Sequence, residues 1–216
     1  MAMESSIYDH GLPVLTHDLY TVNFYNDSIL TCVTQTPSIV ENWISKVESI
    51  HRRRLNRLII GLDIEWRPTF GRRPYSPVAT IQLCIGHHCL IFQLIHASYI
   101  PDSLVEFLDN PYYTFVGVGI KNDVKKLGND YQLDIEPTIV DLARLAADRY
   151  DCDCDFLHAG LKKLASMVLD LDVEKPKRIT LSRWDDLYLS DEQVQYACID
   201  AFLSFEIGRV LNAFDF

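Results

Sequence analysis

The segment from Leu58 to Trp66 restricts the possible folds of this chain more than any other. Its residues form a nearly continuous apolar run, interrupted only at Gly61, Asp63 and Glu65. A short apolar run of this kind is typical of a central strand that is covered on both faces of a sheet. Residues two apart on a strand project to the same face, so the two carboxylates point the same way.

The regions on either side of this strand alternate between strand and helix patterns. Two β-rich runs at residues 20–25 and 29–33 predict an N-terminal hairpin, and Thr36 followed by Pro37 marks the start of a helix. Further strands are predicted at residues 78–84, 89–94 and 114–120, and a last helix is predicted at residues 190–211. This order predicts an α/β domain with a mixed sheet.

The length of the chain fits one domain. It has 216 residues, of which 48% are hydrophobic and 23% charged, and these values exclude disorder. We interpret residues 1–18 as a polar tail and residues 19–216 as a single domain. The N-terminus lacks a signal-peptide pattern, no apolar stretch is long enough to span a membrane, and the six cysteines show no zinc-type pairing. We therefore expect a cytoplasmic or nuclear protein that does not bind membranes.

The charge balance limits how this chain can hold a polyanion. Thirty acidic residues against 20 basic ones give a formal net charge of −10, which excludes a basic coat for nucleic acid. A polyanion must therefore be bound by a local basic patch or by metal ions. The densest basic cluster, at residues 51–57, is either a solvated linker or a segment that steers phosphates. The role of the acidic stretch around Cys152-Asp153-Cys154 stays open.

Asp63 and Glu65 place two carboxylates side by side in the strongest predicted strand. Two neighbouring anions in a buried strand are electrostatically unfavourable unless a cation lies between them. Hard divalent cations such as Mg²⁺ and Mn²⁺ bind carboxylate oxygens. The alternative is that both residues lie at the exposed end of the strand, and an Asp-x-Glu pair alone does not separate the two possibilities.

Two further acidic residues lie on predicted helices. Asp200 and Tyr196 are four residues apart in the last helix, whose start is marked by the capping-box spacing of Ser190 and Gln193. Asp123 follows a glycine-rich strand and lies near a helix N-terminus, where the helix dipole favours a carboxylate. Each residue also has a purely structural interpretation, as a surface tyrosine packed over an aspartate or as an N-terminal carboxylate.

Taken in order, these features resemble the three motifs of the DEDD superfamily of 3′-5′ exonucleases. The spacing of Tyr196 and Asp200 resembles the tyrosine subclass, since the residue five before Asp200 is Gln195 and not histidine. The segments 61–68, 116–120, 182–184 and 189–201 closely resemble the exonuclease domain of the Werner syndrome protein and RNase D, over a core of about residues 56–212. The short chain and its N-terminal hairpin resemble the small plant Werner-exonuclease-like proteins, the group of the RISC-interacting clearing exoribonucleases.

The resemblance implies an RNase H-like fold of the DnaQ exonuclease type. This fold has a five-stranded mixed sheet flanked by helices, and the N-terminal hairpin and helix would extend it. The implied enzyme is a 3′-5′ exonuclease that releases nucleoside 5′-monophosphates from single-stranded nucleic acid by hydrolysis with two Mg²⁺ or Mn²⁺ ions. In that mechanism Asp63 bridges both ions, Glu65 and Asp200 complete the site of one, and Asp123 supports the other. Tyr196 orients the attacking water.

Several basic and aromatic residues beside these motifs are candidates for substrate contacts. The candidates for substrate binding are Trp66, Arg67, Arg72, Arg73, Lys121 and Lys125, and further positive charges on the strand path are Lys126, Lys175, Lys177 and Arg178. For Trp66, the alternation with Glu65 favours packing in the core over stacking on a base.

The resemblance also implies partners. The Werner-type motifs point to DNA and the clearing exoribonucleases to single-stranded RNA, and we favour RNA. The small plant relatives imply a ring-forming homo-oligomer such as a hexamer, and a partner in an RNA-silencing complex. The alternative is a catalytically weak or inactive module that binds nucleic acid or protein on the same fold. The complete set of four carboxylates and a tyrosine favours the enzyme.

Overall fold

The structure is a computed structural model, and it describes residues 5–69, 75–135, 138–151 and 156–216. These residues form one mixed sheet of eight strands. The strands are β1 (Ser5–Asp9), β2 (His17–Phe24), β3 (Asp27–Thr34), β4 (Leu58–Trp66), β5 (Val78–Ile85), β6 (His88–Phe92), β7 (Tyr113–Gly117) and β8 (Thr138–Asp141). The bounds of β4 are those that its apolar run predicts.

The order of the strands across the sheet is β1-β2-β3-β6-β5-β4-β7-β8. β4 pairs antiparallel with β5 and parallel with β7, so it lies inside the sheet. The five strands β6-β5-β4-β7-β8 form the predicted mixed core, and the predicted fold class is confirmed. The sheet is wider than predicted because β3 pairs parallel with β6, which adds the N-terminal strands β1, β2 and β3 to its edge.

Helices cover both faces of this sheet. They are α1 (Pro37–His51), α2 (Asp102–Leu108), α3 (Ile120–Tyr131), α4 (Leu142–Arg149), α5 (Leu161–Leu169), α6 (Lys177–Thr180) and α7 (Asp191–Val210). The apolar residues of α1, α2 and α3 pack with Ile60 and Leu62 of β4. The apolar residues of α4, α5 and α7 pack with Ile59 of β4 and Val116 of β7. Alternate residues of β4 therefore serve opposite faces, and Asp63 and Glu65 share the face that carries α7.

The prediction that residues 1–18 form a tail is wrong for two segments. Ser5–Asp9 form β1, which pairs antiparallel with β2, and β2 already begins at His17. β1 lies at the edge of the sheet, and Ile7 is its residue that packs against the core. Backbone pairing and not side-chain burial places this strand, so its sequence carries no alternating apolar pattern.

No helix among the described residues combines the length and the apolar composition that crossing a membrane requires.

Candidate active site

Three carboxylates converge where β4 meets α7. Asp63, Glu65 and Asp200 each offer an oxygen, and these three oxygens lie within 4.8 Å of one another. Asp63 and Glu65 lie near the C-terminal end of β4, two residues apart and on the face that α7 covers. The strand and the helix thus bring together residues that are more than 130 positions apart in the sequence.

Gly61 allows α7 to lie directly on β4. A Cβ at this position would stand 2.0 Å from the carbonyl oxygen of Ala201 and 2.6 Å from the backbone nitrogen of Phe205. Backbone atoms cannot make room for a side chain at such distances, so only glycine permits this approach. Because Ala201 follows Asp200 in the chain, the same contact holds Asp200 close to Asp63.

The start of α7 is fixed by a capping box, as its sequence predicts. The side chain of Ser190 accepts a hydrogen bond from the backbone nitrogen of Gln193 at 3.3 Å, and Gln193 Oε1 accepts one from the Ser190 nitrogen at 2.9 Å. Tyr196 and Asp200 lie one turn apart on this helix, and Asp200 is only 3% exposed. The cap therefore sets which side chains of α7 face the end of β4.

The carboxylates of this cluster ionise with difficulty. Burial, followed by the negative charge of Asp200, raises the pKa of Asp63 well above its ordinary range. Burial and the charges of Asp63 and Asp200 raise the pKa of Glu65 to about 10. Burial also raises the pKa of Asp200, although the nearby ammonium of Lys175 acts against this rise. A positive charge among these oxygens would reverse all three effects.

Lys175 supplies one such charge. Its Nζ donates a hydrogen bond to Oδ2 of Asp200 at 2.6 Å. Burial alone would lower the pKa of Lys175, but the charge of Asp200 and this hydrogen bond keep it above its ordinary value. The sequence pattern placed Lys175 only on the strand path, because it belongs to an irregular segment whose side-chain directions no periodicity predicts.

Tyr196 stands beside the carboxylates as a neutral hydrogen-bond donor. Its ring centre lies 6.0 Å from that of the buried Trp184. Burial and the negative charges of Asp200 and Glu65 raise the pKa of Tyr196 above its ordinary value. The hydroxyl therefore keeps its proton at neutral pH, which suits an orienting group and not a strong base.

Asp123 lies in the first turn of α3, next to the cluster but outside the group of three converging oxygens. Its charge adds to the raised pKa of both Asp63 and Glu65. Burial and the charge of Asp141 raise the pKa of Asp123 to about 7. Asp141 caps α4, and its Oδ2 accepts a hydrogen bond from the nitrogen of Gly119 at 2.8 Å. Asp141 thereby ties the start of α3 to the end of β8.

The residues of the cluster fit a divalent cation. Oδ2 of Asp63 is buried and has no hydrogen-bond partner among the described residues. A buried carboxylate oxygen without a donor is unfavourable in a protein interior unless a cation or a water satisfies it. Together with Glu65 and Asp200 it offers the hard oxygen ligands that Mg²⁺ and Mn²⁺ prefer. These three side chains could hold such an ion.

Two polar residues of β5 belong to this site and were not predicted. Gln82 is the cross-strand partner of Asp63, and Thr80 is that of Glu65, so all four side chains share one face of the sheet. Both β5 residues are fully buried, and Gln82 Nε2 donates to Thr80 Oγ1 at 2.6 Å. The signal was present in the sequence, since these polar residues alternate in an apolar strand as Asp63 and Glu65 do.

The structure places Trp66 and Arg67, two of the predicted substrate-binding residues, at the end of β4. The expectation that Trp66 packs in the core is wrong, because Trp66 is 38% exposed and its ring lies 5.3 Å from Nζ of Lys126. A register irregularity between Glu65 and Trp66 interrupts the alternation there. Arg67 forms an ion pair with Asp185 at 3.0 Å, so the carboxylate of Asp185 partly neutralises its charge.

The other predicted substrate contacts have more varied positions. Lys121 and Lys125 are exposed on α3, beside Asp123. Arg72 and Arg73 lie outside the described residues, as does Cys152-Asp153-Cys154. The basic cluster at residues 51–57 precedes the first residue of β4, whereas the carboxylates lie near its last residue. At about 3.3 Å per residue, this separates the cluster from Asp63 by more than about 15 Å.

The family of this chain follows from comparison with known proteins. A family model described as 3′-5′ exonuclease matches residues 32–213. A 3′-5′ exonuclease of Arabidopsis thaliana is 36% identical over 170 residues, which cover 77% of this chain and 57% of the relative. The mouse bifunctional 3′-5′ exonuclease/ATP-dependent helicase WRN is 33% identical over 166 residues, 76% of this chain and 12% of the relative. The chain thus spans little more than half of the first relative and a small part of the second.

The fold matches a solved structure as well. The exonuclease domain of Nibbler from Aedes aegypti superposes with a TM-score of 0.67 at 18% identity, over 84% of this chain and 87% of that one. At this identity the likeness concerns the fold alone. The sequence match covers most of the chain, including β4, α3 and α7 with the residues described above. The chain therefore belongs to the 3′-5′ exonuclease family of nuclease enzymes.

Proposed function

We propose that this chain is a metal-dependent exonuclease that removes nucleoside 5′-monophosphates from the 3′ end of single-stranded nucleic acid. The observation that carries the proposal is the convergence of the carboxylate oxygens of Asp63, Glu65 and Asp200 within 4.8 Å. The membership of the 3′-5′ exonuclease family supports the same assignment. As the chain spans only part of its relatives, the activity of the whole protein is our inference from the domain.

The proposed cofactors are two Mg²⁺ or Mn²⁺ ions. Asp63, Glu65 and Asp200 would hold the first, and Asp123 would support the second together with Asp63, consistent with its position beside the group of three. Divalent cations at such a site polarise the phosphodiester and lower the pKa of the attacking water. The remaining roles fall to side chains that bind, orient or shield the reacting groups.

Tyr196 would orient the attacking water through its hydroxyl. The raised pKa of Tyr196 keeps this hydroxyl protonated, so it can donate or accept a hydrogen bond but cannot act as a strong base. Thr80 and Gln82 would hold Asp63 and Glu65 in place from the neighbouring strand. Asp141 would keep the first turn of α3, and with it Asp123, against the site.

We propose that the preferred substrate is RNA. The resemblance to clearing exoribonucleases supports this preference, while the similarity to the WRN protein leaves DNA as the competing substrate. Lys121 and Lys125 would contact phosphates, since they are exposed beside Asp123. The exposed ring of Trp66 could stack on the terminal base, because a base offers an aromatic face whatever its sequence. Arg67 and, outside the described residues, Arg72 and Arg73 would extend the strand path.

The remaining inferences concern the protein in the cell. We propose one exonuclease domain that extends beyond residues 19–216 to include β1 and the start of β2. We further propose a cytoplasmic or nuclear location, a ring-shaped homo-oligomer such as a hexamer, and an RNA-silencing complex as partner. The oligomer and the complex partner depend on the resemblance to the small plant proteins, and a mass measurement in solution would test the oligomer.

The function is tested by digestion of 5′-labelled single-stranded RNA and DNA of one sequence. We expect a ladder that shortens from the 3′ end with Mg²⁺ or Mn²⁺, none with EDTA, and faster loss of RNA than of DNA. Asp63→Asn should lower the rate of digestion by at least about 100-fold. Even the residues that only hydrogen-bond to metal ligands typically change metal affinity or activity by about 10- to 100-fold when they are mutated. A folded wild-type protein that produces no ladder on either strand would instead support the non-catalytic binding module.

A further inference from the structure

Lys175 brings a positive charge into the carboxylate cluster from outside the predicted ligand set. Its Nζ lies 2.6 Å from Oδ2 of Asp200 and 5.5 Å from the ring centre of Tyr196. The side chain of Asp200 is 5% exposed and that of Lys175 28% exposed, so the ion pair is largely shielded from solvent. Shielded ion pairs are screened much less by salt than surface pairs are, and the loss of one partner leaves an uncompensated buried charge.

The ammonium of Lys175 satisfies this cluster only in part. It binds Asp200, while Oδ2 of Asp63 remains buried without a hydrogen-bond partner among the described residues. Three carboxylates with oxygens within 4.8 Å carry up to three negative charges, and one ammonium balances one of them. A divalent cation brings twice the charge and can contact several of these oxygens at once.

The ammonium of Lys175 and a divalent cation would therefore compete for the carboxylate of Asp200. We propose that Lys175 is a positioning residue that competes with the divalent cation for Asp200, so that the metal ion binds by exchange with the ammonium. This inference rests on the proposed metal-dependent function and adds a regulatory step to that site. The charge of Lys175 would set how much divalent cation the protein needs.

The chain around Lys175 permits such an exchange. Lys175 belongs to the segment between α5 and α6, whose residues 170–176 adopt neither helix nor strand. Its ammonium sits on a flexible four-carbon stem, so it can leave Asp200 without movement of the backbone. Once released, the ammonium of Lys175 would remain at the edge of the cluster, where it could bind a phosphodiester oxygen of the substrate as a point charge.

The test is the affinity for Mn²⁺ without substrate, measured by electron paramagnetic resonance of the free ion. Lys175→Met should bind Mn²⁺ about tenfold more tightly than the wild type, equivalent to about 1.4 kcal/mol of competition removed. Without metal, its melting temperature should be lower than that of the wild type, since Asp200 loses its counter-charge. Lys162→Met is the control, because Lys162 is exposed on α5 and has no role in the proposed site, and it should leave the Mn²⁺ affinity unchanged.

The outcomes separate this inference from the function on which it rests. Equal Mn²⁺ affinities for the wild type and Lys175→Met would overturn the exchange, and a weaker affinity in the variant would show that Lys175 supports the ligand instead. If Lys175→Met does not fold, Lys175→Gln gives the same reading, since it keeps a donor and removes the charge. A folded wild type that binds no Mn²⁺ would contradict the metal-dependent function itself.

Discussion

At the scale of single residues, the site is a set of carboxylates whose negative charges repel one another. Each of Asp63, Glu65 and Asp200 has a pKa above its ordinary value, with burial as the largest cause. A protein keeps such groups together only where something else stabilises them. Lys175 does so for Asp200, and a divalent cation would do so for all three.

The raised pKa of Asp123 predicts how the stability of the protein without metal depends on pH. Its ordinary pKa is 3.8 and its pKa in the folded protein is about 7. Between these values the folded form retains a proton that the unfolded chain has released, so the free energy of unfolding falls as pH rises. Calorimetry in EDTA should therefore show a melting temperature that decreases from about pH 4 to about pH 7.

Asp123→Asn isolates the part that Asp123 contributes to this slope. The variant cannot titrate at this position, so its melting temperature should fall less over the same range. Glu65, whose pKa is raised to about 10, contributes a further decrease of the same sign toward higher pH in both proteins. An identical pH dependence of the melting temperature in wild type and variant would show that the pKa of Asp123 is not raised in the folded protein.

Tyr196→Phe should reduce turnover without changing the affinity for the metal ion. The variant keeps the aromatic packing against Trp184 and removes only the hydroxyl. An orienting hydrogen bond contributes less than full acid–base catalysis, so we expect a loss of about 10- to 100-fold in kcat, with little change in KM. Single-turnover digestion combined with Mn²⁺ titration checks both quantities. A variant with wild-type kcat would remove Tyr196 from the chemistry.

At the scale of elements, the contact between β4 and α7 builds the site. Gly61 has no side chain, and the backbone of α7 at Ala201 and Phe205 fills the space that one would need. The strand supplies two of the converging carboxylates and the helix supplies the third. A change in the spacing of these two elements must therefore alter stability and activity together.

Gly61→Ala should destabilise the protein and weaken the site. Its Cβ would overlap backbone atoms of α7, and overpacking of this kind typically costs about 1–3 kcal/mol or more. The melting temperature and the rate of digestion should both decrease. Gly160→Ala is the matched control, since a Cβ there meets nothing within 4 Å. Equal melting temperatures for the two variants would contradict the close packing of α7 on β4.

Elements with a strong local pattern could be predicted from the sequence, and weakly patterned ones could not. The apolar run of β4 predicted its bounds, and the capping box of Ser190 and Gln193 predicted the start of α7. β1 was missed because backbone hydrogen bonds to β2, and not buried side chains, hold it at the edge. Lys175 was placed on the strand path only, because an irregular segment gives no rule for the direction of its side chains.

For the converging carboxylates, the sequence predicted which residues share a face but not how the strand and the helix meet. The spacing of Asp63 and Glu65 predicted one shared face, and Tyr196 and Asp200 were predicted on one helical face. Nothing local predicts which face of β4 meets α7, since that depends on the close approach at Gly61. The resemblance to the exonuclease motifs supplied this missing link. Gln82 and Thr80 could have been included from their alternation alone.

At the scale of the whole molecule, the negative net charge means that nucleic acid must be bound by local positive charge. The chain carries a formal net charge of −10, and nucleic acid is a polyanion. The basic cluster at residues 51–57 lies at the opposite end of β4 from the carboxylates. We therefore propose that, among the described residues, Lys121, Lys125 and Lys175 bring positive charge to the reacting phosphate, and that divalent cations bound to the cluster bring most of it.

The most direct measurement is the anomalous diffraction of crystals of this protein soaked in Mn²⁺. We predict a strong anomalous peak within coordination distance of Asp63, Glu65 and Asp200, with Nζ of Lys175 withdrawn from Oδ2 of Asp200. The same soak of Asp63→Asn crystals should give a much weaker peak. Wild-type crystals without a peak at these carboxylates, at Mn²⁺ concentrations that support digestion, would contradict the claim that this cluster is the metal site.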